Sequence, residues 1–148
     1  MLCLTPISFG SISELEDTSY AQMSDPDKRR MVRESMDKTH DGAFFEMLAV
    51  SDSGTIVGFM NLYARSERTI SVGPEIKRRF RRQGYGFSGE MLALDYAREM
   101  GYAVAVADVR EENAASIALH EKLGFEVGTR CLSKNGNPVR VYIKALTE

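Results

Sequence analysis

The sequence predicts a single α/β domain: one mixed sheet with helices packed on its faces. Three observations carry this. Residues 44–77 hold three consecutive runs of strand length separated by turn residues, the first two joined by Asp52-Ser53-Gly54. Residues 85–100 switch to a three-to-four-residue apolar period, with Phe87, Met91, Leu94 and Ala97 in phase. A small-residue run, 103–109, then stays apolar up to Asp108, as a strand buried on both faces does. At 148 residues, with 43% hydrophobic and 27% charged residues, the chain suits one core, so 1–148 is expected to be one domain.

Each element has a local reason. Residues 2–9 suit an edge strand, because Pro6 lacks the amide a central strand needs. Residues 11–40 read as two short helices. Ser24 or Asp25 caps the second, Pro26 lies in its first turn, and Met31, Val32 and Met36 form its apolar stripe. Strands follow at 44–51, 55–64 and 69–77, and Gly73-Pro74 inside the last marks a bulge or a splay of the sheet. Gly101 ends the helix of 85–100, Asn113 caps a helix that Gly124 stops, and 125–133 and 138–146 form a final hairpin. Asn135-Gly136 in its turn favours type I′ geometry.

Composition excludes several classes. Cys3 and Cys131 make neither a CxxC nor a Cys/His ligand spacing, and Cys131 is expected to be a buried small hydrophobe. With His40 and His120 as its two histidines, the chain is expected to hold no metal. The first ten residues lack the features of a signal peptide and no stretch reaches the length of a membrane span, so a cytoplasmic protein with no membrane partner is the expectation. A net charge of −2 argues against nucleic acid as a partner. Yet Lys77, Arg78, Arg79, Arg81 and Arg82 place five cations in six positions on an otherwise acidic chain. A small polyanion held at one place fits that distribution.

The basic run leads into Arg81-Arg82-Gln83-Gly84-Tyr85-Gly86, a strand-to-helix turn. Unpaired amides and the positive dipole end make such a turn an anion site, and glycines let the backbone approach phosphate oxygens. No Walker GxxxxGK[ST] is present. Gly84, Gly86 and Gly89 satisfy GxGxxG spacing, but no acidic residue ends a second strand about twenty residues on, which removes the dinucleotide reading. Downstream, Asn113, Ser116 and His120 share one helical stripe.

These segments resemble the GNAT superfamily of acetyl-CoA-dependent N-acetyltransferases. Arg81, Gly84 and Gly86 match its R/Q-x-x-G-x-G/A loop, and Asn113, Ser116, Leu119, His120, Lys122, Gly124 and Phe125 match N-x-x-S-x-x-L-H-x-K-x-G-F. The resemblance covers about residues 44–146. It implies a mostly antiparallel mixed sheet splayed between its fourth and fifth strands, with helices on both faces. Amides of residues 82–87, from Arg82 and Gln83 through Tyr85, Gly86 and Phe87, would hold the coenzyme A pyrophosphate. Ile76, Lys77 and Arg78 would pair with the pantetheine arm, an amide near Ile76 would polarise the thioester carbonyl, and Asn113 and Ser116 would lie on the cofactor side. His120 stands where most members carry the tyrosine that protonates the leaving thiolate; phosphinothricin-type acetyltransferases carry His there. Asp108, in VADVREEN, looks like the stretch where ribosomal-protein N-terminal acetyltransferases carry a glutamate base, and Glu75 is the other candidate base. The expected reaction moves acetyl from acetyl-CoA to a small-molecule primary amine by direct attack. A peptide or protein N-terminal acetyltransferase and a non-catalytic CoA-binding sensor are the alternatives, and the C-terminal hairpin is a candidate surface for a homodimer.

Overall fold

The computed structural model describes residues 1–147. The elements are β1 (Leu2–Pro6), two 3-10 turns (Phe9–Leu15 and Ser19–Gln22), α1 (Asp25–Asp37), β2 (Phe45–Asp52), β3 (Thr55–Ala64) and β4 (Thr69–Ile76). A 3-10 turn (Arg78–Phe80), α2 (Tyr85–Glu99), β5 (Val104–Arg110), α3 (Ala114–Lys122), β6 (Glu126–Leu132) and β7 (Pro138–Ala145) complete the chain. The strands form one seven-stranded sheet in the order β1-β2-β3-β4-β5-β7-β6. Every pairing is antiparallel except β4–β5. The expected mixed, mostly antiparallel sheet is therefore present.

Two cores cover its two faces. On one, α2 and α3 pack over Leu48, Val50, Met60, Leu62, Ile70, Val72 and Ala105. On the other, α1 and the first 3-10 turn cover Met47, Ala49 and Phe59 with Leu15 and Val32. Alternate residues of β2 and β3 feed opposite cores, as the period of two requires, while β4 gives Ile70, Val72 and Ile76 to the first. Gly89 brings α2 down onto the sheet: a Cβ there would lie 2.6 Å from the Met60 side chain and 3.3 Å from Val50.

Local chemistry explains most departures from expectation. The first of the two helices expected in 11–40 is replaced by the two 3-10 turns, since that polar stretch has no apolar stripe to sustain an α-helix. The second helix is α1; Ser24 caps it, its hydroxyl accepting from Asp27 N at 3.2 Å. Met36 is exposed, and Ser35 takes the inward position. Its hydroxyl accepts from Met47 N at 2.8 Å and contacts Met47 O at 3.1 Å. Ser53 and Gly54 both have positive φ, the signature of the type I′ turn joining β2 to β3. The Asn135-Gly136 turn differs: Gly136 is left-handed and Asn135 is not, so the hairpin closes by Gly136 N to Ser133 O at 2.9 Å rather than as type I′. Cys131 is exposed on β6, as is Cys3 on β1, and both are free thiols, which corrects the buried reading of Cys131.

Candidate active site

The site begins where the sheet fails to close. Only Thr69, Ile70 and Ser71 of β4 pair with β5, opposite Val104, Ala105 and Val106. Beyond them β4 continues on β3 as far as Ile76 and β5 continues on β7 as far as Arg110, so the two strands diverge. Hydrogen bonds from Arg65 N to Thr69 O and from Lys77 N to Val57 O fix the register of β3 on β4. By that register, residues 73 and 75 bond β3, and the backbone nitrogens of residues 72, 74 and 76 face the opening. Pro74 is tolerated there because it has no N–H to leave unpaired. The Ile76 amide faces the gap, while Arg81 Nε donates to the Ile76 carbonyl at 3.2 Å. An open strand edge of this kind is a template for an extended ligand arm.

The opening holds a groove of about 340 Å³ lined by Asn61, Tyr63, Ser71, Asp108, Ser116 and His120, among others. Gly73 contributes to its width, since a Cβ there would meet nothing within 4 Å. At one end of the groove, α2 begins. Its N-cap, Gly84, has φ +85 and gives no side-chain cap, so the first amides of a 15-residue helix are left for an outside acceptor. Arg82, with φ 63, turns the chain into this arrangement. The Gly86 position looks onto Leu119, Ile76 and Pro74 at 3.9–4.0 Å, so the turn borders the wall of the gap.

Not every cation of the basic run faces outward. Lys77 is buried with its ammonium 2.6 Å from Glu14 Oε1, so only its backbone belongs to the turn. Arg79 is held by Asp17, whose carboxylate accepts from its backbone N at 3.0 Å and from its guanidinium at 3.3 Å. That backbone bond, with the Arg79 and Arg78 charges, holds the Asp17 carboxyl below its ordinary range. Arg78 and Arg82 are exposed, as are Gln83 and the Arg81 position. Tyr85 staples the turn to the β2–β3 hairpin, its hydroxyl donating to Asp52 Oδ2 at 2.7 Å. Phe87 lies under the Lys122 ammonium, 4.2 Å from its ring centroid, on the α3 side. Asn113 caps α3, its side-chain oxygen accepting from Ser116 N at 3.0 Å.

The candidate catalytic residues separate. Asp108 reaches the groove, but its Oδ2 is 2.7 Å from Arg65 Nη2, and Arg65 Nε also donates to Ser71 Oγ at 2.7 Å. This bridge runs from the end of β3 over β4 to β5 and closes one end of the opening. Glu75 projects to the α1 face of the sheet instead. Its carboxylate accepts from Ser19 N at 2.7 Å and from the Ser19 hydroxyl, which holds the second 3-10 turn in place. His120 borders the groove yet is only 2% exposed. Its Nδ1 is 2.8 Å from the Ser116 carbonyl oxygen and 3.3 Å from Ser116 Oγ.

Its other nitrogen faces a residue the sequence reading did not single out. His120 Nε2 lies 3.2 Å from Oε2 of Glu90, a carboxylate on α2 that is 0% exposed. Neither Glu90 oxygen has a well-aligned hydrogen bond among the described residues. Burial raises the Glu90 carboxyl pKa against the opposing pull of His120. Burial works to lower that of His120, but Glu90 and the Ser116 carbonyl outweigh it and raise the imidazole. The signal was present in the stripe of α2: Glu90, Ala93, Leu94 and Ala97 are buried, whereas Met91, counted in that stripe, is 48% exposed. A carboxylate in register with a helix's apolar face requires a partner, but only the fold shows which.

Among the described residues no cluster of three or more metal-ligating side chains occurs, and no helix is long and apolar enough to cross a membrane. A search of curated proteins returned no match. Solved structures with the same fold include yncA, a putative acetyltransferase from Salmonella typhimurium with its cofactor acetyl-CoA. It has TM-score 0.78 and 18% identity over 100% of this chain and 95% of that one. A Vibrio cholerae spermidine N-acetyltransferase SpeG chimera with hSSAT aligns at TM-score 0.84 and 16% identity, covering 97% and 96%. The ribosomal-protein-S18-alanine N-acetyltransferase of Escherichia coli aligns at 0.72 and 16%, covering 100% and 96%. At these identities the likeness is one of fold. The family assignment comes from the sequence: residues 10–125 match the Acetyltransferase (GNAT) family, and with the one-sided β4–β5 opening running into the uncapped α2 turn, the chain belongs to that family.

Proposed function

We propose that this acetyltransferase moves the acetyl group of acetyl-CoA to the primary amine of a small molecule by direct attack. The observation that carries the reading is the β4–β5 opening, toward which the Ile76 amide points and which leads to the uncapped first turn of α2. The residues fit the cofactor. Amides of residues 82–87 suit a pyrophosphate, Gly84 supplies the left-handed turn, and Arg78 and Arg82 add exposed charge. The edge of β4 suits an amide-bearing pantetheine arm pairing as an added strand. Acetyl-CoA supplies the activated thioester when bound. The Ile76 amide is a donor to the carbonyl oxygen as negative charge develops there.

A small acceptor is favoured by the Arg65–Asp108 bridge, which shuts one end of a groove of only about 340 Å³. In this reading the Asp108 carboxylate orients Arg65 and the acceptor rather than acting as a free base, and Glu75 holds the 3-10 turn beside the acceptor face. A peptide N-terminus as acceptor would have to displace that bridge.

Calorimetric titration with acetyl-CoA, followed by thiol-release assays on free amines, amino acids and short peptides in competition, tests the proposal. Micromolar binding with turnover of small amines is expected. Preferential turnover of peptides would move the acceptor to protein N-termini, and binding without turnover across the panel would leave a CoA sensor.

A further inference from the structure

We propose that the acceptor is an elongated amine with an apolar or aromatic tail, and that the tail lies in a second cavity, beside α1, walled by Met23, Met31, Phe45 and Tyr63. The inference rests on the acetyl transfer proposed above and names the kind of amine its site takes.

The cavity has a volume of about 420 Å³ and joins the groove through one side chain, since Tyr63 lines both. Strand register sets what lies between them. Tyr63 pairs with Phe45 of β2 on one side and with Ser71 of β4 on the other, and Asn61 pairs with Gly73. These positions share the α1 face of the sheet, being two residues apart along each strand and level across strands. On β4 that face carries only the small Ser71 and Gly73, and a Cβ at Gly73 would meet nothing within 4 Å. The sheet is therefore low between the opening and Tyr63. The bond from Asn61 Nδ2 to the Tyr20 hydroxyl holds the second 3-10 turn along one side of this path. Arg65, bound to Ser71 and Asp108, stands along the other.

The lining of the cavity selects the tail. Its charged groups are paired with one another: Arg30 with Asp27 at 3.3 Å, and His40 with Glu34 at 2.7 Å. Each lining charge thus already has a partner of opposite sign, which favours neither a second ammonium nor a carboxylate on the tail. The remaining walls are two thioethers and two aromatic rings, all half-buried. The rim is preformed. His40 and Ala43 exchange backbone hydrogen bonds at 2.8 and 2.9 Å around Asp41 and Gly42, both with positive φ. The His40 ring stands edge-on to Phe45 and Tyr63, at 6.3 and 5.9 Å. A preformed pocket of flexible thioethers and flat rings takes hydrocarbon of varied shape. From β4 to β2 is two strand spacings, about 10 Å, so only an amine of several carbons reaches from the opening to the cavity.

The first test reads binding rather than turnover. Phenylbutylamine titrated into protein labelled at methionine and valine methyls, with and without coenzyme A, should move the Met23 and Met31 signals saturably. Unmoved Met23 and Met31 signals, or shifts confined to Val106 and Val141 across the opening, overturn the tail site. The second test is kcat/KM at saturating acetyl-CoA. From propylamine to hexylamine it should rise about threefold per methylene, close to the worth of a buried CH₂. Phenylbutylamine should be at least as good as hexylamine, and hexanediamine poorer. Met31→Gln and Met23→Gln should each cut the preference for hexylamine over propylamine about threefold to tenfold, with propylamine turnover and acetyl-CoA affinity held within about twofold. Met23 lies outside α1, so its variant tests the site even if Met31→Gln fails to fold. A flat alkyl series, or a diamine preferred to hexylamine, overturns the tail site while the acetyltransferase reading stands. A wild-type protein that binds no acetyl-CoA overturns that reading instead, and the acceptor assignment with it.

Discussion

Single side chains in this protein hold backbone that nothing else satisfies. The Ser35 hydroxyl serves both the N–H and the C=O of Met47 at the edge of the α1-side core. Ser35→Ala should cost about 1–3 kcal/mol, because both groups stay buried without partners; urea unfolding would measure it. Tyr96 shows the same economy with a charge. Its hydroxyl donates to Oε1 of the buried Glu46 at 2.5 Å, and burial first, then that carboxylate, push its pKa up to about 12. The folded value exceeds the ordinary one near 10, so the stability Tyr96 contributes is intact below about pH 10 and is lost as pH climbs from there toward about 12. In Tyr96→Phe that alkaline decline should flatten. Stability at neutral pH should drop, since among the described residues Glu46 then keeps only Lys38, at 4.0 Å. Urea melts stepped through the alkaline range would show both effects.

At the scale of elements, two glycines position the gap. Gly84 needs its φ of +85 to start α2, and nothing crowds its Cβ position. Gly84→Val therefore acts through backbone strain of about 1–3 kcal/mol, displacing the amides of the turn. Acetyl-CoA affinity should fall by tenfold or more, and unchanged affinity in calorimetry would remove the turn from the phosphate site. Gly58 is a different case. It lies opposite Ile76, and a Cβ would come within 2.6 Å of Glu75 O and 2.7 Å of Ile76 Cα. Those contacts are backbone and cannot step aside cheaply. Gly58→Ala should lower the melting temperature and also push β4 at the point where the Ile76 amide faces the β4–β5 opening, so acetyl-CoA affinity should fall with it.

For the whole molecule, the β4–β5 seam is the narrow joint. Three residue pairs connect β1–β4 to β5–β7, against seven between β5 and β7. A ligand strand laid in the opening would bridge both halves. Acetyl-CoA at 100 times its Kd should stabilise the fold by about 2.7 kcal/mol. The added amide protection from hydrogen exchange should concentrate on Val72–Ile76 and on the α2 turn. Protection spread evenly over the sheet, or absent from β4, would place the ligand elsewhere.

The boundaries of β2 to β5, α2 and α3 were legible because each carries its own period and stop signal, such as Asn113 and Gly124 around α3. The basic glycine turn and the Asn113–Ser116–His120 stripe were legible as motifs, because backbone conformation and helix spacing are local properties. Residues 11–40 were misread as two helices because polar chain without an apolar stripe takes its shape from what it packs against. The Asn135-Gly136 turn took another type because the strands pair only as far as Leu132 and Pro138, so a longer loop than the two residues of a type I′ hairpin closes it. Tertiary structure alone decided the partners: Lys77 on Glu14, Glu75 on Ser19, Asp108 on Arg65 and Glu90 on His120. Sequence determined which groups this chain possesses and which way the backbone turns. Which charge meets which was settled by the sheet, because electrostatic partners act across a few ångströms of space and these lie 30 to 63 residues apart in the chain.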